Sequence, residues 1–478
     1  METNTSPGNP APCAPTGVAV VVLAAGNSTR MVSKTPKALH HVGGIPIVKR
    51  VIEAGLANHP DTLVVVVNKQ LRSLPESLGM VGQFDVVEQA TANGTGGALQ
   101  CALPMVEGCE WIVSLLGDNP LLAGDMIADL IAHARETRAK VGILTAKIPR
   151  AEYGRIAHDD AGNIVSIVEW GADDQAAYPR DEVTEINSGI MVVHAAWAKD
   201  ALRKLTPHKA KSPDKPDELY LTDLIELAVE EYEGGDWPVT NVRADGHVAV
   251  GVNSRIQQAE ADMHVRERVR DRLMKKSGVT MIGPDTIFVD EQVTIGQDTI
   301  IHPFCYITGN TIIGEDCVIG PHAVIHDSTI GDGSRVVSST VADSTIEAGS
   351  SVGPYARLRE GAAVGPDVHI GNFVEVKNSE LGEGTKAGHL AYLGDATVGQ
   401  RVNVGAGVIT ANFDGTRKNR TVIGDDAFIG SDSVLVAPRT VGERGRTAAG
   451  SVVTHDVAPD TLVVGVPARP RTPGGSAS

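Results

Sequence analysis

A segment of small and basic residues near the amino terminus has the composition of an anion-binding loop. It starts with Leu-Ala-Ala-Gly at residues 23–26 and continues through Arg30 to Lys37. Small residues let backbone N–H groups approach an anion, and the two cations supply the charge that triphosphate oxygens need. An ordinary strand-to-helix turn is the alternative for this loop taken alone. A dinucleotide fingerprint is disfavoured, because no Gly-x-Gly-x-x-Gly spacing can be drawn and Ser28 stands where a third glycine would help.

Polar residues follow two later segments of the same region. Asp118 comes directly after an apolar run, where a hard cation such as Mg²⁺ would find an oxygen ligand. A strand-end aspartate can equally form a turn or cap a helix. Gly94-Thr95-Gly96 forms a second permissive loop, and Gln89 just before it can both donate to and accept from the edge of a base.

A second group of polar residues interrupts a regular pattern near the carboxyl terminus. Arg359 and Lys377 are one repeat of the pattern apart, so we expect them to lie one above the other. Two stacked cations repel each other unless an anion lies between them, and a sugar phosphate would meet that need. His389 can act as a general base near neutral pH. A histidine with no function on the surface is the alternative.

Composition excludes several classes of function. The 478 residues have a formal net charge of −17 and only 4% aromatic residues, whereas a nucleic-acid-binding surface needs clustered Lys and Arg with stacking rings. No apolar stretch reaches the length of a transmembrane helix. The five cysteines form no Cys-x-x-Cys pair: they are Cys13, Cys101, Cys109, Cys305 and Cys317. We therefore expect an acidic enzyme of the reducing cytoplasm, with neither a nucleic-acid nor a membrane partner.

Apolar runs alternate with helical segments up to about residue 250, which predicts an α/β domain with a mostly parallel sheet. The predicted strands are 18–23, 62–67, 111–116, 141–145 and 189–193. Ligands of such sheets bind at the carboxyl ends of the strands. We divide the chain into a disordered tail (1–16), the α/β domain (17–254), a solvated linker helix (255–278), a repeat domain (279–458) and a carboxyl-terminal tail (459–478).

Aliphatic residues recur every six positions in the repeat domain. The first series is Ile295, Ile301, Ile307, Ile313, Ile319 and Ile325, and after a slip the second is Val352, Leu358, Val364, Ile370 and Val376. An α-helix of period 3.6 cannot keep these residues on one face, whereas a parallel β-helix stacks them inside successive coils. The pattern is interrupted near residues 411–420, as expected for a loop on a binding face.

The motifs of both halves resemble one family of enzymes. L-A-A-G-x-x-T-R-M, the lysine of K-T-P-K, G-T-G, G-D-x-P, Y-G-R, V-E and G-V-N are similar to motifs of sugar-1-phosphate nucleotidyltransferases, while K-A-G-H-L-x-Y-L-G-D and V-N-V-G-A-G are similar to an acetyltransferase site. From about Val18 to Arg469 the chain resembles bifunctional N-acetylglucosamine-1-phosphate uridyltransferase/glucosamine-1-phosphate acetyltransferases. The implied fold is a Rossmann-like α/β nucleotidyltransferase domain followed by a left-handed parallel β-helix of hexapeptide repeats.

For the amino-terminal domain the resemblance implies a site for UTP, a sugar phosphate and Mg²⁺. The implied nucleotide-binding residues are Leu23, Ala24, Ala25, Gly26, Lys37, Gln89, Gly94 and Thr95, and the implied sugar-binding residues are Gly154, Glu169, Asn187 and Asn253. Asp118 and Asn253 would bind Mg²⁺, and Arg30 and Lys37 would be the catalytic cations. Asn187 could otherwise be a simple turn residue. No covalent nucleophile is needed, because the sugar phosphate itself can attack the α-phosphorus of UTP in line.

For the β-helix the resemblance implies acetyl transfer from acetyl-CoA to glucosamine-1-phosphate. His389 would be the catalytic base, oriented by Glu375. The implied sugar-phosphate-binding residues are Arg359, Lys377, Tyr392 and Asn403, and the implied acetyl-CoA-binding residues are Ala406, Asn412, Phe413, Ser431 and Ala449. The chain departs from the family pattern at Ser28, at Phe413, and at Gly465, near which an arginine is expected; Arg469 is the candidate substitute.

The two implied activities in sequence would give UDP-N-acetylglucosamine for cell-wall peptidoglycan synthesis, from a homotrimer with active sites between subunits. Two other interpretations stay open at the level of sequence. One is a nucleotidyltransferase for another sugar phosphate, with the β-helix acting only as a trimerising scaffold. The other is a regulator without catalytic activity, which would be expected to have lost Asp118, Lys37 or His389, although all three are present.

Overall fold

The structure is a computed structural model, and it describes residues 17–26, 29–149, 153–169, 183–209 and 216–471. The chain divides into two compact units, Met1–His264 and Val265–Ser478. The predicted amino-terminal tail (1–16), Cys13 and Ser28 lie outside the described residues. Within the described ranges, the helices are all too short or too polar to cross a membrane.

The described part of the first unit is built on one nine-stranded sheet with the order β11-β7-β10-β6-β1-β4-β5, to which the hairpin β8-β9 is added through β10. The strands of this unit, including the small separate hairpin β2-β3, are β1 (Val18–Ala24), β2 (His41–Val42), β3 (Ile45–Pro46), β4 (Thr62–Val67), β5 (Asp85–Glu88), β6 (Trp111–Leu116), β7 (Val141–Ile148), β8 (Arg155–His158), β9 (Ile164–Val168), β10 (Thr184–His194) and β11 (Val239–Ala244).

Helices cover both faces of this sheet. They are α1 (Ile47–Leu56), α2 (Leu74–Leu78), α3 (Gly94–Ala102), α4 (Gly124–Glu136), α5 (Ala195–Lys204), α6 (Asp223–Glu230) and α7 (Arg255–Lys276), with short 3-10 turns at Thr29–Met31, Lys37–Leu39, Lys69–Leu71, Leu103–Met105 and, in the second unit, Pro284–Thr286. All seven residues of β1 are buried, and alternate residues contribute to one hydrophobic core on each side. A strand covered on both faces needs such a continuous apolar run rather than an alternating one.

The sheet is mostly parallel, as predicted, with one central exception. β10 runs antiparallel to β6 and β7, and it is longer than the predicted strand 189–193. Its register shifts between Asn187 and Met191, where Gly189 adopts φ +79° and any added Cβ would overlap Leu116. Because β10 is antiparallel, its first residues lie at the edge where β6 ends, and Asn187 therefore reaches the same edge as Asp118.

The second unit is a left-handed parallel β-helix with three faces, which we name A, B and C. The strands of face A are Thr280–Met281, Ile300–Ile301, Val318–Ile319, Arg335–Val336, Ser351–Val352, His369–Asn372, Lys386–His389, Asn403–Val404, Phe428–Ile429, Arg446–Thr447, Leu462–Val464 and Arg469–Pro470. Those of face B are Phe288–Val289, Tyr306–Thr308, Val324–His326, Thr340–Ala342, Arg357–Arg359, Glu375–Lys377, Tyr392–Gly394, Ile409–Ala411, Val434–Val436 and Val452–Val453. Those of face C are Thr294–Ile295, Ile312–Ile313, Thr329–Ile330, Thr345–Ile346, Ala363–Val364, Glu380–Leu381, Ala396–Val398, Thr421–Ile423 and Arg439–Val441.

The hexad aliphatics of both predicted series are buried inside the coils. The slip between the series comes from shortened coils: Val318 pairs with Arg335 and Val324 with Thr340, so these turns are tighter than the preceding one, where Ile300 pairs with Val318. Strand pairing continues through this region because the residues are lost from corners rather than from strands. The inward side chains therefore stay stacked although the sequence count slips.

The β-helix extends beyond the boundary predicted at residue 458. Leu462–Val464 pairs with Arg446–Thr447 as a further strand of face A, and Arg469–Pro470 then folds back antiparallel to it. Part of the predicted tail is therefore ordered by strand pairing. It was missed because this last turn lacks the preceding hexad spacing.

Helix α7 was predicted as a solvated linker, but its second half has a buried apolar stripe formed by Val265, Val269 and Leu273. This spacing places the three residues on one face of the helix. Beside the stripe, Arg266 Nη1 donates to Asp290 Oδ1 at 3.0 Å, and both residues are buried. Asp290 also accepts from the Gly309 N–H at 3.2 Å. The ion pair therefore anchors the helix to the first coils of the second unit.

Replacing Arg266 with Met should destabilise these first coils, because it would leave the buried Asp290 carboxylate without its cation. A broken buried pair of this kind costs about 3–5 kcal/mol. The measurement is hydrogen exchange of the strands at residues 288–289 and 306–308. The double change Arg266→Met with Asp290→Asn should recover much of the loss, and Lys275→Met, at an exposed ion pair, should change little. Equal exchange rates in wild type and Arg266→Met would contradict the anchoring role.

Candidate active sites

The carboxyl ends of β1, β4, β5 and β6 open onto a cavity of about 990 Å³. The residues predicted to bind the nucleotide all line it: Leu23, Ala24, Ala25, Gly26, Lys37, Gln89, Gly94 and Thr95, together with Asp118. Parallel strands bring these separate segments to one edge of the sheet, which is where ligands of such folds bind.

The loop at Gly94 is closely packed against the chain at Leu219. Gly94 adopts φ +91°, and an added Cβ would lie 2.5 Å from the Leu219 carbonyl oxygen, so only glycine fits. The Gly96 N–H donates to that same oxygen at 2.8 Å, and the Thr95 hydroxyl accepts from the Leu221 N–H at 3.1 Å. These contacts fix the first turn of α3 at the cavity wall.

Gln89 is held in one orientation at the wall of this cavity. Its side-chain N–H₂ donates to Asn93 Oδ1 at 2.9 Å and to the Gly94 carbonyl oxygen at 3.0 Å. Both amide hydrogens are thereby used within the loop. The side-chain oxygen is the atom that can accept a hydrogen bond from a bound base.

A smaller cavity of about 280 Å³ adjoins the first. Among the predicted residues it is lined by Arg30, Asp118, Gly154, Glu169, Asn187 and Asn253. Asp118 lines both cavities. The structure therefore brings the predicted sugar-binding residues together and places them across Asp118 from the nucleotide-binding ones.

Lys37 links Asp118 to Asn253. Its ammonium donates to Asp118 Oδ2 at 2.5 Å and to Asn253 Oδ1 at 2.9 Å, although the two residues are far apart in sequence. The second carboxylate oxygen, Asp118 Oδ1, is buried and has no hydrogen-bond partner within the part of the chain that the structure describes. Asp118 Oδ2 and Asn253 Oδ1 thus already converge on a cation, and Asp118 Oδ1 beside them accepts from no described residue. These three oxygens fit Mg²⁺, which prefers oxygen ligands and keeps waters and substrate phosphates as its other ligands.

Gly154 and Asn187 form the far wall of the smaller cavity. The Asn187 N–H donates to the Gly154 carbonyl oxygen at 2.8 Å, and an added Cβ on Gly154 would lie 3.4 Å from Glu169 Oε2. Asn187 Oδ1 accepts from the Gly189 N–H at 3.0 Å. Asn187 is therefore not a simple turn residue: it lies in strand β10 at the start of the register shift, and it lines the cavity.

In the β-helix, strand register confirms that Arg359 lies directly over Lys377. Carboxylates neutralise both cations: Lys377 is 3.1 Å from Glu360 Oε2, Arg359 is paired with Glu360, and Arg359 Nε donates to Glu375 Oε1 at 2.6 Å. The expected anion between the stacked cations is thus provided by the protein itself. The hydrogen bond that the structure gives Glu375 leads to Arg359, rather than to His389 as expected from sequence.

Lys418, from the loop that interrupts the repeats, approaches Lys377. Contacts with Lys418 and with Glu360 raise the pKa of Lys377, whereas contact with Lys377 lowers the pKa of Lys418. Two neighbouring ammonium groups repel each other, so the pair holds its protons unequally. An anionic ligand between them would favour the charged form of both.

Asp395 is a buried carboxylate at the centre of this cluster, and sequence reasoning did not single it out. It accepts from Asn378 Nδ2 at 2.6 Å and from Asn412 Nδ2. Burial raises the pKa of Asp395, but the hydrogen bonds from Asn378 and Asn412 outweigh it, so the pKa lies below its ordinary value of 3.8. Asn412 Nδ2 also lies 3.4 Å from the Tyr392 hydroxyl. The first residue of the loop is therefore tied to the coil below it.

The loop itself is folded by Asp414. This carboxylate accepts from the N–H groups of Thr416 and Arg417 and from Asn419 Nδ2, at 2.8–2.9 Å, and these bonds lower its pKa to about 2. The Asn419 N–H donates to the Asn412 carbonyl oxygen at 2.7 Å and closes the loop. Phe413 at its tip is 63% exposed.

The remaining predicted residues lie at or near the corner between faces A and B, in successive coils. Backbone hydrogen bonds join this corner from one coil to the next. The N–H groups of Gly407, Asp432 and Gly450 donate to the carbonyl oxygens of Leu390, Ala406 and Ser431, respectively. His389, Ala406, Ser431 and Ala449 therefore form one column, which we name the A–B column. Asn403 lies on the strand of face A just before it.

Within one chain the A–B column is separate from the Arg359–Lys377 cluster. His389 pairs with Asn372, which precedes the strand of face B that ends at Lys377. Tyr392 starts the next strand of face B, but its ring lies over Gly394, where an added Cβ would overlap the hydroxyl. Tyr392 therefore points towards Asn412 and away from His389, and the predicted acetyl-transfer residues form two groups at opposite ends of the face B strands.

Comparison with known proteins identifies the family. A MobA-like NTP transferase domain matches residues 20–211, and a GMPPB C-terminal domain matches residues 285–372. The chain is 41% identical to the bifunctional protein GlmU of Pelobacter propionicus over 451 residues, which cover 94% of this chain and 95% of the relative. It is 40% identical to GlmU of Synechococcus elongatus, covering 94% and 96%, and 38% identical to GlmU of Streptomyces avermitilis, covering 93% and 91%.

The chain belongs to the bifunctional GlmU family. The GlmU relatives match nearly the whole chain, so the family assignment covers both units of the structure and not only one of them. The expected bifunctional enzyme, with uridylyltransferase and acetyltransferase activities, is thereby confirmed. The family also accounts for the left-handed β-helix behind a nucleotidyltransferase fold.

Sequence reasoning missed several residues that the structure places at the candidate sites. Gln257, in the first turn of α7, lines the smaller cavity, and its side-chain oxygen accepts from the Asn253 N–H at 2.8 Å. It was missed because the many charged residues of α7 predicted a solvent-exposed linker helix. Asp395 and Lys418 were missed because a hexad pattern does not show which outward side chains meet across coils. The interruption of the hexad repeat near residues 411–420 could have indicated that Lys418 belongs to a ligand-binding loop.

Replacing Asp395 with Asn should loosen the loop 412–420, since the new amide offers only one oxygen to Asn378 and Asn412. Hydrogen bonds to charged groups contribute about 1.5–3 kcal/mol, so hydrogen exchange of the loop should accelerate by roughly one to two orders of magnitude. Asp460→Asn, at an exposed ion pair, is the matched control and should leave the loop unchanged.

The same loop should respond to pH in one direction. The pKa of Asp395 in the folded protein lies below 3.8, its ordinary value. The stabilisation of the loop by Asp395 is therefore complete above pH 3.8 and is lost only as the pH falls through the pKa of the folded state. The Asp395→Asn protein should show a smaller acid-dependent step, because Asp414, whose pKa is lowered to about 2, still titrates in the loop. A step of equal size in both proteins would show that another group controls the loop.

Proposed function

We propose that this GlmU-family chain makes UDP-N-acetylglucosamine in two steps, acetyl transfer in the β-helix and then uridylyl transfer in the α/β unit. The observation that best supports the assignment of residues is the pair of cavities that share Asp118 as a wall. One is large enough for a nucleotide, and the other is lined by polar groups suited to a sugar. Their common wall is where the phosphates of two substrates would meet.

In the uridylyl step, N-acetylglucosamine-1-phosphate attacks UTP. A phosphate oxygen of the sugar forms a bond to the α-phosphorus, and the bond from that phosphorus to pyrophosphate breaks. Arg30 lies on the sugar side and Lys37 on the nucleotide side, so both can neutralise charge on the phosphates as it moves to the leaving group. Leu23, Ala24, Ala25 and Gly26 present backbone to the triphosphate, with Thr95 and Gly94 at the base. Gln89 Oε1 would accept from the N3–H of uracil, which cytosine lacks.

Asp118 and Asn253 would hold Mg²⁺ in this step. Their oxygens already converge on the Lys37 ammonium, and a divalent cation in that place would release Lys37 to contact phosphate. When bound, Mg²⁺ supplies positive charge to the triphosphate oxygens. Gly154, Glu169 and Asn187 would hold the N-acetylglucosamine across the same wall.

In the acetyl step, the amino group of glucosamine-1-phosphate attacks the thioester carbonyl of acetyl-CoA. His389 takes the proton from the amine, the carbon–sulfur bond breaks, and coenzyme A leaves as the thiol after protonation. Arg359 and Lys377 would bind the phosphate, exchanging the carboxylate of Glu360 for the ligand. Tyr392 and Asn403 would contact the sugar.

The A–B column would form the acetyl-CoA groove. Ala406, Ser431 and Ala449 stack in a line that starts next to His389, and small residues leave room for a narrow pantetheine chain. Asn412 and Phe413 would cover the groove from a neighbouring subunit, because within one chain they lie with the Arg359–Lys377 cluster. Arg469 lies opposite Val464, next to Gly465, and would bind a phosphate of coenzyme A in place of the missing arginine.

We include a homotrimer and a cytoplasmic location in this proposal. Separation of the acetyl-transfer residues into two groups favours a site that is completed by a second copy of the chain. An exposed apolar ridge along the same corner favours association as well: Phe304, Tyr355, Phe373 and Leu390 are each 57–63% exposed. Four free cysteines among the described residues agree with a reducing compartment.

Two substitutions should separate the activities. His389→Ala should abolish release of coenzyme A, because no general base would remain, and should leave uridylyl transfer unchanged. Asp118→Ala should do the reverse. Mass spectrometry of products from glucosamine-1-phosphate, acetyl-CoA, UTP and Mg²⁺ measures both steps together. Loss of both activities in either variant, with the fold intact, would contradict the two-site assignment.

Arg469→Ala should raise the KM for acetyl-CoA about tenfold, the effect expected from losing one charge-assisted contact. Acetyl-dephospho-CoA lacks the 3′-phosphate, so it shows whether Arg469 contacts that phosphate or the pyrophosphate of coenzyme A. If Arg469 binds the 3′-phosphate, its loss should leave the KM for that analogue unchanged. Arg471→Ala is the matched control, two residues along the same segment. An equal effect of both arginines would argue against a specific contact.

A further inference from the structure

Asn119, next to Asp118, is a buried residue that the two-step assignment does not use. It is 1% exposed and lines the smaller cavity. Its side-chain oxygen, Oδ1, is buried and has no hydrogen-bond partner among the described residues. Buried polar atoms are nearly always paired, so this oxygen indicates a donor that the described residues do not supply.

The orientation of this amide is fixed by its neighbour. Asn119 Nδ2 lies 3.3 Å from the Ser188 carbonyl oxygen, which can only accept, so the N–H₂ group must face it. Ser188 is itself held, because its hydroxyl donates to the Leu144 carbonyl oxygen at 2.7 Å and accepts from the Ile190 N–H at 3.1 Å. Oδ1 therefore lies on the side of the amide turned away from Ser188.

Asn119 Oδ1 and Asp118 Oδ1 lie close to the same point in space. A Cβ built on Gly251 would be 3.0 Å from each of them, so the two oxygens are at most about 6 Å apart. Both oxygens are buried, and neither receives a hydrogen bond from a described residue. The absence of a side chain at Gly251 keeps the space beside them open.

We propose that Asn119 Oδ1 accepts a hydrogen bond from a water molecule on the divalent cation that Asp118 binds. A cation at about 2.1 Å from Asp118 Oδ1 places its waters within about 3 Å of that oxygen, and a further hydrogen bond of about 2.7 Å stays inside the limit of 6 Å. Waters on a divalent cation are polarised and are strong donors. Residues that orient the ligands of a metal in this way commonly change its affinity by 10–100-fold.

This inference rests on the proposed cation site at Asp118, and the experiment tests the two separately. Mn²⁺ alone is titrated into the full chain and free Mn²⁺ is followed by electron paramagnetic resonance. Asn119→Leu removes the acceptor at similar size and should raise the Kd for Mn²⁺ at least tenfold. Gly251→Ala, which leaves Ser188 untouched, should do the same by filling the space between the oxygens. Hydrogen exchange of β1 and β6 should match that of the wild type in both variants, which confirms that the α/β unit remains folded.

Ser114→Ala is the matched control. Ser114 Oγ is also buried and has no partner in the described ranges, but it lies in β6 within the core and lines neither cavity, so its loss should leave the Kd for Mn²⁺ unchanged. Asp118→Asn tests the cation site itself and should abolish Mn²⁺ binding. If Asp118→Asn binds Mn²⁺ normally, the proposed cation site is wrong and the role of Asn119 falls with it.

If Asp118→Asn abolishes binding while Asn119→Leu and Gly251→Ala bind Mn²⁺ as wild type does, the cation site stands and the inference about Asn119 is overturned. In that case a raised KM for N-acetylglucosamine-1-phosphate in Asn119→Leu would assign the orphan oxygen to the sugar instead.

Discussion

Pairing of Lys37, Arg359 and Lys377 with carboxylates is the constraint on which both proposed sites depend. The chain has a net charge of −17, so cations intended for anionic substrates are surrounded by acidic groups. Lys37 is held by Asp118, and Arg359 and Lys377 by Glu360 and Glu375. These pairs keep the cations oriented before a ligand arrives. In the proposed sites a phosphate would replace one anion with another, so its binding would be an exchange of partners rather than the burial of a new charge.

Backbone pairing determines where those pairs can form. In the α/β unit, parallel strands end at one edge and antiparallel β10 begins there, so Asp118 and Asn187 meet although they belong to strands of opposite direction. In the β-helix, each outward residue lies over the residue one coil away, which places Lys377 over Arg359. The same pairing keeps His389 at the other end of the face B strands from Lys377. Strand direction and register therefore decide which polar residues can cooperate within one chain.

The sequence was sufficient for the fold and for most of the candidate site because its signals were local. Hexad aliphatics predicted the β-helix, and apolar runs followed by Gly26, Gln89 and Asp118 predicted one ligand-binding edge. The residues it missed depend on contacts between distant segments. Asp395 could not be distinguished from the many aspartates at coil corners, and Gln257 belongs to a helix whose composition indicated solvent. Glu375 was assigned to His389 on the resemblance, which does not show the direction of a side chain, and in the structure it accepts from Arg359.

The loop 412–420 shows how a new surface can be added to a repetitive scaffold without disturbing it. Before the loop, Ile409–Ala411 pairs with Val434–Val436, and after it Thr421–Ile423 pairs with both Ala396–Val398 and Arg439–Val441. The coil thus resumes in register, and Asp414 folds the inserted residues largely through contacts inside the loop. Insertions at such a corner can change in length and composition while the stacked aliphatics stay the same. Substrate contacts and scaffold stability are then free to evolve independently.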